Sequence, residues 1–348
     1  MTNPNDLPQK KKRKKRKKTK KQNFLHFLPH ILFFAAVIII VTIGIIKLSA
    51  WNKGIKSDYD PNATNTGFDS ETMDYYSALS PDQEAKQKDD GVNSILVMGN
   101  NVLAKWRGES DGITALIEKY SGGKVYDLSV DRSYISVKNF PFEEDHPADV
   151  FSFYWMANCL ANNDLTLLRD YSKVFGGDDH IGDVIATAES IDMSAIDTLV
   201  VFYDHHDYED KRLLQRIHVN DNERLTDSCV ECLRQGIQLI QTNYPQIRII
   251  VVSPYYNFIE VDGKLVPSGE TELVESTELA QYGTLSDYLV AYMNTVAELG
   301  CSFVDNYIGT INADNYKEYL DDELKYPNAE GRDLIARRIA KFINPEAE

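Results

Sequence analysis

Residues 94–130 read SILVMGNNVLAKWRGESDGITALIEKYSGGKVYDLSV. The run Ser94 to Met98 is apolar and breaks into the polar triplet Gly99-Asn100-Asn101. A helical pattern follows over Asp111 to Tyr120, and a second strand-like run covers Lys124 to Val130. Two strands separated by a helix cannot form a tight hairpin, so this spacing predicts parallel pairing through a right-handed crossover.

The pattern continues downstream. Apolar runs at Thr198 to Tyr203, Ile247 to Ser253 and Ser302 to Asp305 alternate with helical patterns at Leu225 to Asn243, Leu285 to Leu299 and Asn328 to Ile343. The Leu285 helix follows Gly283-Thr284 and the last helix opens after Pro327, both suitable starts. Five strands alternating with helices predict an α/β fold: a three-layer α/β/α sandwich with a parallel five-stranded sheet, in one domain over 94–348. In such sheets the ligand crevice lies beyond the carboxyl ends of the strands. The residues that matter are therefore Gly99-Asn100-Asn101, Ser129 to Ser133, Asp204-His205-His206-Asp207 and Pro254-Tyr255-Tyr256-Asn257.

Upstream the composition changes. Every residue from Lys10 to Lys21 except Thr19 is Lys or Arg, so 1–23 reads as a solvated tail that anionic membrane lipid would attract. Residues 24–46 are almost wholly apolar and long enough to cross a bilayer, interrupted only by His26, Pro29 and His30 in the first turns. Lys47 and Trp51 suit the far interface, and 47–93 has polar stalk composition, within which Tyr75-Tyr76 could open a docking helix. Eleven basic residues before the span place the N-terminus in the cytoplasm and the domain outside the cell membrane. A cleaved secretory signal is the rival reading, with Leu48-Ser49-Ala50 as a weak cleavage site. Removing residues 1–50, which hold twelve Lys/Arg and one Asp, leaves 25 basic and 52 acidic residues, a formal −27. That charge argues against nucleic acid as a partner.

The strand ends offer several chemistries. Asp204, His205, His206 and Asp207 are metal-ligand types, with Asp127 and Asp131 as possible additions, but neighbours on an extended strand point to opposite faces. His205 and His206 converge only if the strand has already broken into a loop, so no tightly bound metal and no cofactor are expected. Ser129, Ser133 and Ser253 are hydroxyls near the crevice, but no G-x-S-x-G elbow occurs; His146 and His180 read as surface-loop residues. Tyr255, Tyr256 and Asn257 could present flat faces with polar rims to a sugar ring. Cys229 and Cys232 sit mid-helix without a second CxxC, so they and Cys159 and Cys301 read as core thiols.

Taken together, the blocks resemble the SGNH hydrolase (GDSL esterase/lipase) superfamily. The 94–130 block is similar to its opening strand and turn, DTLVVFYDHHDY (197–208) to its Gly-x-Asn-Asp block, YPQIRIIVVSPYY (244–256) to its fourth strand, and YLDDELKYPNAEGRDLIARRIAKFI (319–343) to its closing Asp-x-x-His block. The resemblance implies an esterase fold in which Asn100 and Asn101 stand where the family has Asp and the nucleophilic Ser. It puts the oxyanion-hole glycine at Asp131 or Arg132, Asp204 in the place of the third block's glycine, and His206 in the place of its Asn. The family His falls on Tyr326 or Lys325, and its Asp on Asp322 or Glu323. These departures imply a degenerate, catalytically inactive pseudo-hydrolase that binds or assists, because an amide cannot attack an ester and an orienting carboxylate needs a histidine. The resemblance also implies a setting of cell-envelope glycan or acyl-group metabolism, with a cell-surface glycan or a membrane O-acyltransferase as partner. The competing expectation is an active carbohydrate or lipid esterase with a rearranged site.

The topology is directly testable. Protease added outside intact cells should cleave the domain and leave the Lys10 to Lys21 tail protected; a soluble mature chain beginning near Trp51 would establish secretion instead.

Overall fold

The computed structural model describes residues 72–138, 146–176, 178–215, 228–261, 263–269 and 282–345. The expected tail, the expected 24–46 span and the stalk as far as residue 71 lie outside the described residues. Among the described residues no helix is long and apolar enough to cross a membrane.

Every strand of the expected sheet is present: β1 Ser94–Gly99, β2 Lys124–Asp127, β3 Thr198–Phe202, β4 Arg248–Val252 and β7 Ser302–Val304, all parallel, in the order β2-β1-β3-β4-β7. Strands β1, β3, β4 and β7 are largely buried on both faces, which explains their continuous apolar runs, whereas the edge strand β2 is only partly buried. Leu96 and Met98 of β1, with Leu199, Val201, Val251 and Phe303, meet helices α2 Phe153–Asn162, α3 Ile181–Ser190, α4 Cys229–Asn243 and α5 Leu285–Glu298. Ile95 and Val97, with Val200, Phe202, Ile250 and Val304, meet α1 Ile113–Ser121 and α6 Ala329–Ile343. Alternate residues of one strand thus feed two separate cores, and each fully buried side chain contributes about 1.5–3 kcal/mol. Local caps fit the sequence: Ser228 accepts from the Glu231 N–H, Asn328 from Gly331, and Thr284 with Asp287 forms a capping box.

Three details depart from the sequence reading. A small antiparallel hairpin, β5 Phe258–Val261 with β6 Lys264–Pro267, follows β4 and was not legible in the patterns. The strand assignment of β2 ends at Asp127, yet Leu128 and Val130 still donate to Val97 and Gly99 of β1, so the backbone tracks β1 as far as the crevice. The last part of the expected stalk is docked: Tyr75 exchanges two backbone hydrogen bonds with Phe303, and Met73 and Ser77 donate to the side chains of Asp305 and Ser302. Instead of opening a helix, Tyr75 covers the otherwise bare edge of β7, and helix begins only at Pro81. The four cysteines are buried and free, as core thiols should be.

Gly99 ends β1 because nothing larger fits. A Cβ there would lie 2.1 Å from the Phe202 carbonyl oxygen and 2.6 Å from Leu103 Cδ1. Gly99→Ala is therefore expected to destabilise the domain by about 1–3 kcal/mol in chemical denaturation. Gly182→Ala, which meets nothing within 4 Å in α3, should be neutral or stabilising. Equal effects of the two would contradict the close approach of β1 and β3.

Candidate functional site

The site begins where β1 and β3 end side by side, with Gly99 paired to Phe202. Asn100 is fully buried; its Nδ2 donates to Asp204 Oδ1 at 2.8 Å and its Oδ1 accepts from the Asp204 N–H at 2.9 Å. This two-way clamp fixes Asp204, whose side chain is wholly buried. After Asp204 the strand has broken and a helical turn runs over His206–Glu209. That break lets adjacent histidines lie on one side, with ring centroids 4.8 Å apart. His206 then folds back so that its Nδ1 meets Asp204 Oδ1 at 2.5 Å.

The other ring nitrogen, His206 Nε2, lies 3.0 Å from Asn101 Nδ2. Position 101 thus faces an imidazole that a buried carboxylate orients. The sequence reading expected no imidazole facing position 101, because it looked for one in the closing block; the structure places one there from the third block. The same Asn101 amide also donates to Tyr326 Oη at 3.3 Å, and its Oδ1 accepts from the Arg132 N–H at 2.7 Å. The carboxamide sits with its oxygen on a backbone donor and its nitrogen on an imidazole, as a bound amide substrate would.

Arg132 has φ 55°, the left-handed region that glycine adopts cheaply. Of the two positions considered, Arg132 is therefore the one that occupies the glycine-like turn, with its backbone N–H still pointing into the site. Asp131 beside it is half-buried; its N–H donates to Asp178 Oδ2 at 2.8 Å, and burial followed by Asp178 pushes its own carboxyl upward. Tyr326 comes into the site and Lys325 does not: Tyr326 lies against His206 with centroids 6.4 Å apart, while Lys325 Nζ reaches Glu209 at 3.9 Å. Lys105 Nζ lies 4.0 Å above the Tyr326 ring, and burial, then Asp204, pushes the phenol up to about 12.

Other sequence candidates have structural roles. Asp207 is buried and accepts from Ile135 N–H, Ser136 N–H and Ser136 Oγ, tying the loop after Arg132 to the third block. Asp322 and Glu323 are exposed in the turn before Tyr326, so neither orients His206. Tyr255, Tyr256 and Asn257 are not a sugar platform: Tyr255 Oη donates to the Lys325 carbonyl, Tyr256 packs among Phe258, Tyr307 and Tyr316, and Asn257 bonds Ser268. The hairpin and the following helical turns cover their faces, which periodicity could not foretell. His205 is buried, with Nε2 3.5 Å from Glu209. Asp204, His205 and His206 offer ligand-type atoms within 4.8 Å of one another. Yet a carboxylate oxygen and an imidazole nitrogen on one zinc, each at about 2.0–2.2 Å, stand farther apart than the Asp204–His206 contact, so a metal would have to open that bond.

No protein-family model matches the chain, and no curated protein matches it. One crystal structure aligns with 75% of this chain and 100% of its own at TM-score 0.51 and 16% identity. At that identity the likeness speaks to the fold alone. Weaker likenesses include a protein assigned to the G-D-S-L lipolytic family from Desulfitobacterium hafniense (TM-score 0.40, 12% identity, 72% of this chain and 99% of that one). Another is a protein assigned to the SGNH hydrolases from Slackia heliotrinireducens (TM-score 0.41, 9% identity, 73% and 100%).

Burial alone would depress the His206 imidazole, but the adjoining Asp204 carboxylate outweighs it and holds the group up at about 9. Asp204, which burial pushes upward, is held down at about 2 chiefly by His206. As placed, Asn101 donates to Nε2 and fits a neutral ring; an imidazolium would compete with the Arg132 N–H for the single amide oxygen, which opposes the rise. A raised His206 stabilises fully below its unfolded value of about 6.5, and this is lost as pH climbs through about 9; a depressed Asp204 stabilises above about 4. The melting temperature is thus expected to fall between about pH 6.5 and 9, and to fall less in His206→Gln. Parallel pH profiles of the two proteins would show that the neutral ring prevails.

Proposed function

We propose that this chain is a membrane-tethered, extracytoplasmic SGNH-type protein that binds a ligand in its strand-end crevice without hydrolysing esters, as an accessory to cell-envelope glycan or acyl-group chemistry. One observation carries the reading: the atom facing the His206 imidazole is the carboxamide nitrogen of Asn101, whose lone pair is delocalised and does not attack carbonyls. The strand-end hydroxyls do not replace it. Ser129 Oγ donates to Asp127, Ser133 Oγ to the Val130 carbonyl and Ser253 Oγ to the Pro254 carbonyl. The basic tail and apolar segment support the tether, with anionic lipid as partner of the tail and a surface glycan or membrane O-acyltransferase as partner of the domain.

The Asp204–His206 pair favours the second reading, an active esterase with a rearranged site in which a water or substrate hydroxyl is activated by His206. Hydrolysis of p-nitrophenyl acetate by the full-length protein separates the two. The unmodified protein should be no faster than a denatured control and should resist a fluorophosphonate. Asn101→Ser places a hydroxyl before an oriented imidazole and beside the Arg132 N–H, so saturable hydrolysis should rise at least about tenfold, within the usual gain from base assistance. Adding His206→Ala should abolish the gain. Saturable turnover by the unmodified protein, lost in His206→Ala, would establish the esterase instead.

A further inference from the structure

The two nitrogens of the His206 ring are held unequally. Nδ1 is bonded to Asp204, which Asn100 clamps in turn, so the ring cannot swing away when its charge changes. Nε2 meets Asn101 Nδ2 at 3.0 Å, a contact in which the amide donates and a neutral ring accepts. A proton on Nε2 makes that nitrogen a donor as well. Two N–H groups would then face each other, while the acceptor of the same amide, Asn101 Oδ1, is turned the other way and taken by the Arg132 N–H at 2.7 Å. An imidazolium and the Arg132 N–H therefore compete for one oxygen.

Asn101 is the group that can yield. A half-turn about its last side-chain bond exchanges oxygen and nitrogen with almost no change of shape. Tyr326 suits either state: its Oη accepts from Nδ2 at 3.3 Å, and its own hydroxyl hydrogen can donate to the oxygen that takes the place of Nδ2. The loop around Arg132 has other ties, since Asp178 accepts from the Asp131 N–H and Asp207 from the N–H groups of Ile135 and Ser136. Arg132 itself is exposed, so a released N–H meets water or a ligand and not a dry interior. The charged surroundings favour protonation of the ring. Asp204, His205, Glu209 and Asp210 lie on its own segment, Asp131 and Arg132 come from the loop after β2, and Tyr326 lies against it, with Lys105 over that phenol and Lys325 on Glu209. Asp204 is bonded to the ring, whereas these cations stand on Tyr326, Glu209 and Asp131.

We propose that the Asn101 carboxamide is a proton-driven switch: when His206 gains a proton the amide turns over, its oxygen passes from the Arg132 N–H to the imidazolium, and the freed N–H opens to the crevice. Above the midpoint Asn101 blocks the one backbone donor at position 132. Below it, an acceptor oxygen of a bound ligand finds that donor free, so occupancy of the crevice is regulated by pH. This last consequence deepens the binding reading given above and rests on it; the switch itself stands on the hydrogen-bond geometry alone.

Nuclear magnetic resonance of the full-length protein in neutral detergent tests this, with nitrogen-15 in histidine to follow the His206 ring and in arginine to follow the Arg132 backbone amide. As pH falls, the Arg132 amide proton should shift toward its weakly bonded position with the same midpoint as the ring, between about 6.5 and 9. In His206→Gln the shift should vanish. In Asn101→Asp, which offers one oxygen to each donor, the His206 midpoint should rise and the Arg132 amide should stay where it is. A His206 ring that titrates while the Arg132 amide does not move overturns the switch, and so does a ring that stays neutral down to about pH 5. Movement that persists in either variant overturns it too, by assigning the change to the neighbouring Asp131. Ester turnover by the unmodified protein would instead overturn the inactive reading and leave these titrations unchanged, so the two failures are told apart.

Discussion

The arrangement depends on burying one charge, the Asp204 carboxylate. A carboxylate with no exposure is tolerable only if donors surround it, and Oδ1 gathers three: the Asn100 amide, the His206 imidazole and the His206 backbone N–H. Those donors come from two strand ends, so satisfying the charge draws β1 and β3 into register at the crevice and turns His206 toward position 101. Among the described residues Oδ2 has no hydrogen-bond partner. The charge is thus held from one side, which concentrates its pull on His206.

The rest of the site follows from that orientation. With Nε2 fixed, the side chain at 101 must satisfy an imidazole and the Arg132 N–H together, and a carboxamide does both with one planar group. A serine would satisfy fewer of these partners but could react. The amide of Asn101 thus ties the ends of the first three strands together at the crevice, through His206, Tyr326 and the Arg132 N–H.

Most of the fold could be read from the sequence because strands buried on both faces are continuous apolar runs, and amphipathic helices carry a 3.6-residue period. Strand β1, α1 and α6 were placed to within a residue or two for that reason. The hairpin β5–β6 is too short to show a period, and the docked chain around Tyr75 is held by two backbone bonds and polar side chains, which composition does not register. In the site, Asn101 and Tyr326 were singled out from the sequence, but the imidazole that meets Asn101 was not. Its signal was present as Asp204 and His206, two residues apart just past a strand, a spacing that allows a carboxylate to cap its own turn and hold the imidazole. The tyrosines after β4 misled in the other direction, since residue type does not tell which faces a later hairpin will cover.

The docked edge segment carries a mechanical consequence. Met73 lies beside Asp305 and Ser77 beside Ser302, so the chain runs antiparallel to β7 and enters from the carboxyl end of the sheet. A force applied to the chain ahead of Thr72 along that axis would load the two Tyr75–Phe303 bonds in shear, together, and not peel them one at a time. The load passes directly into β7 and the central sheet, so the sheet end that bears the crevice is also the end by which the domain can be held.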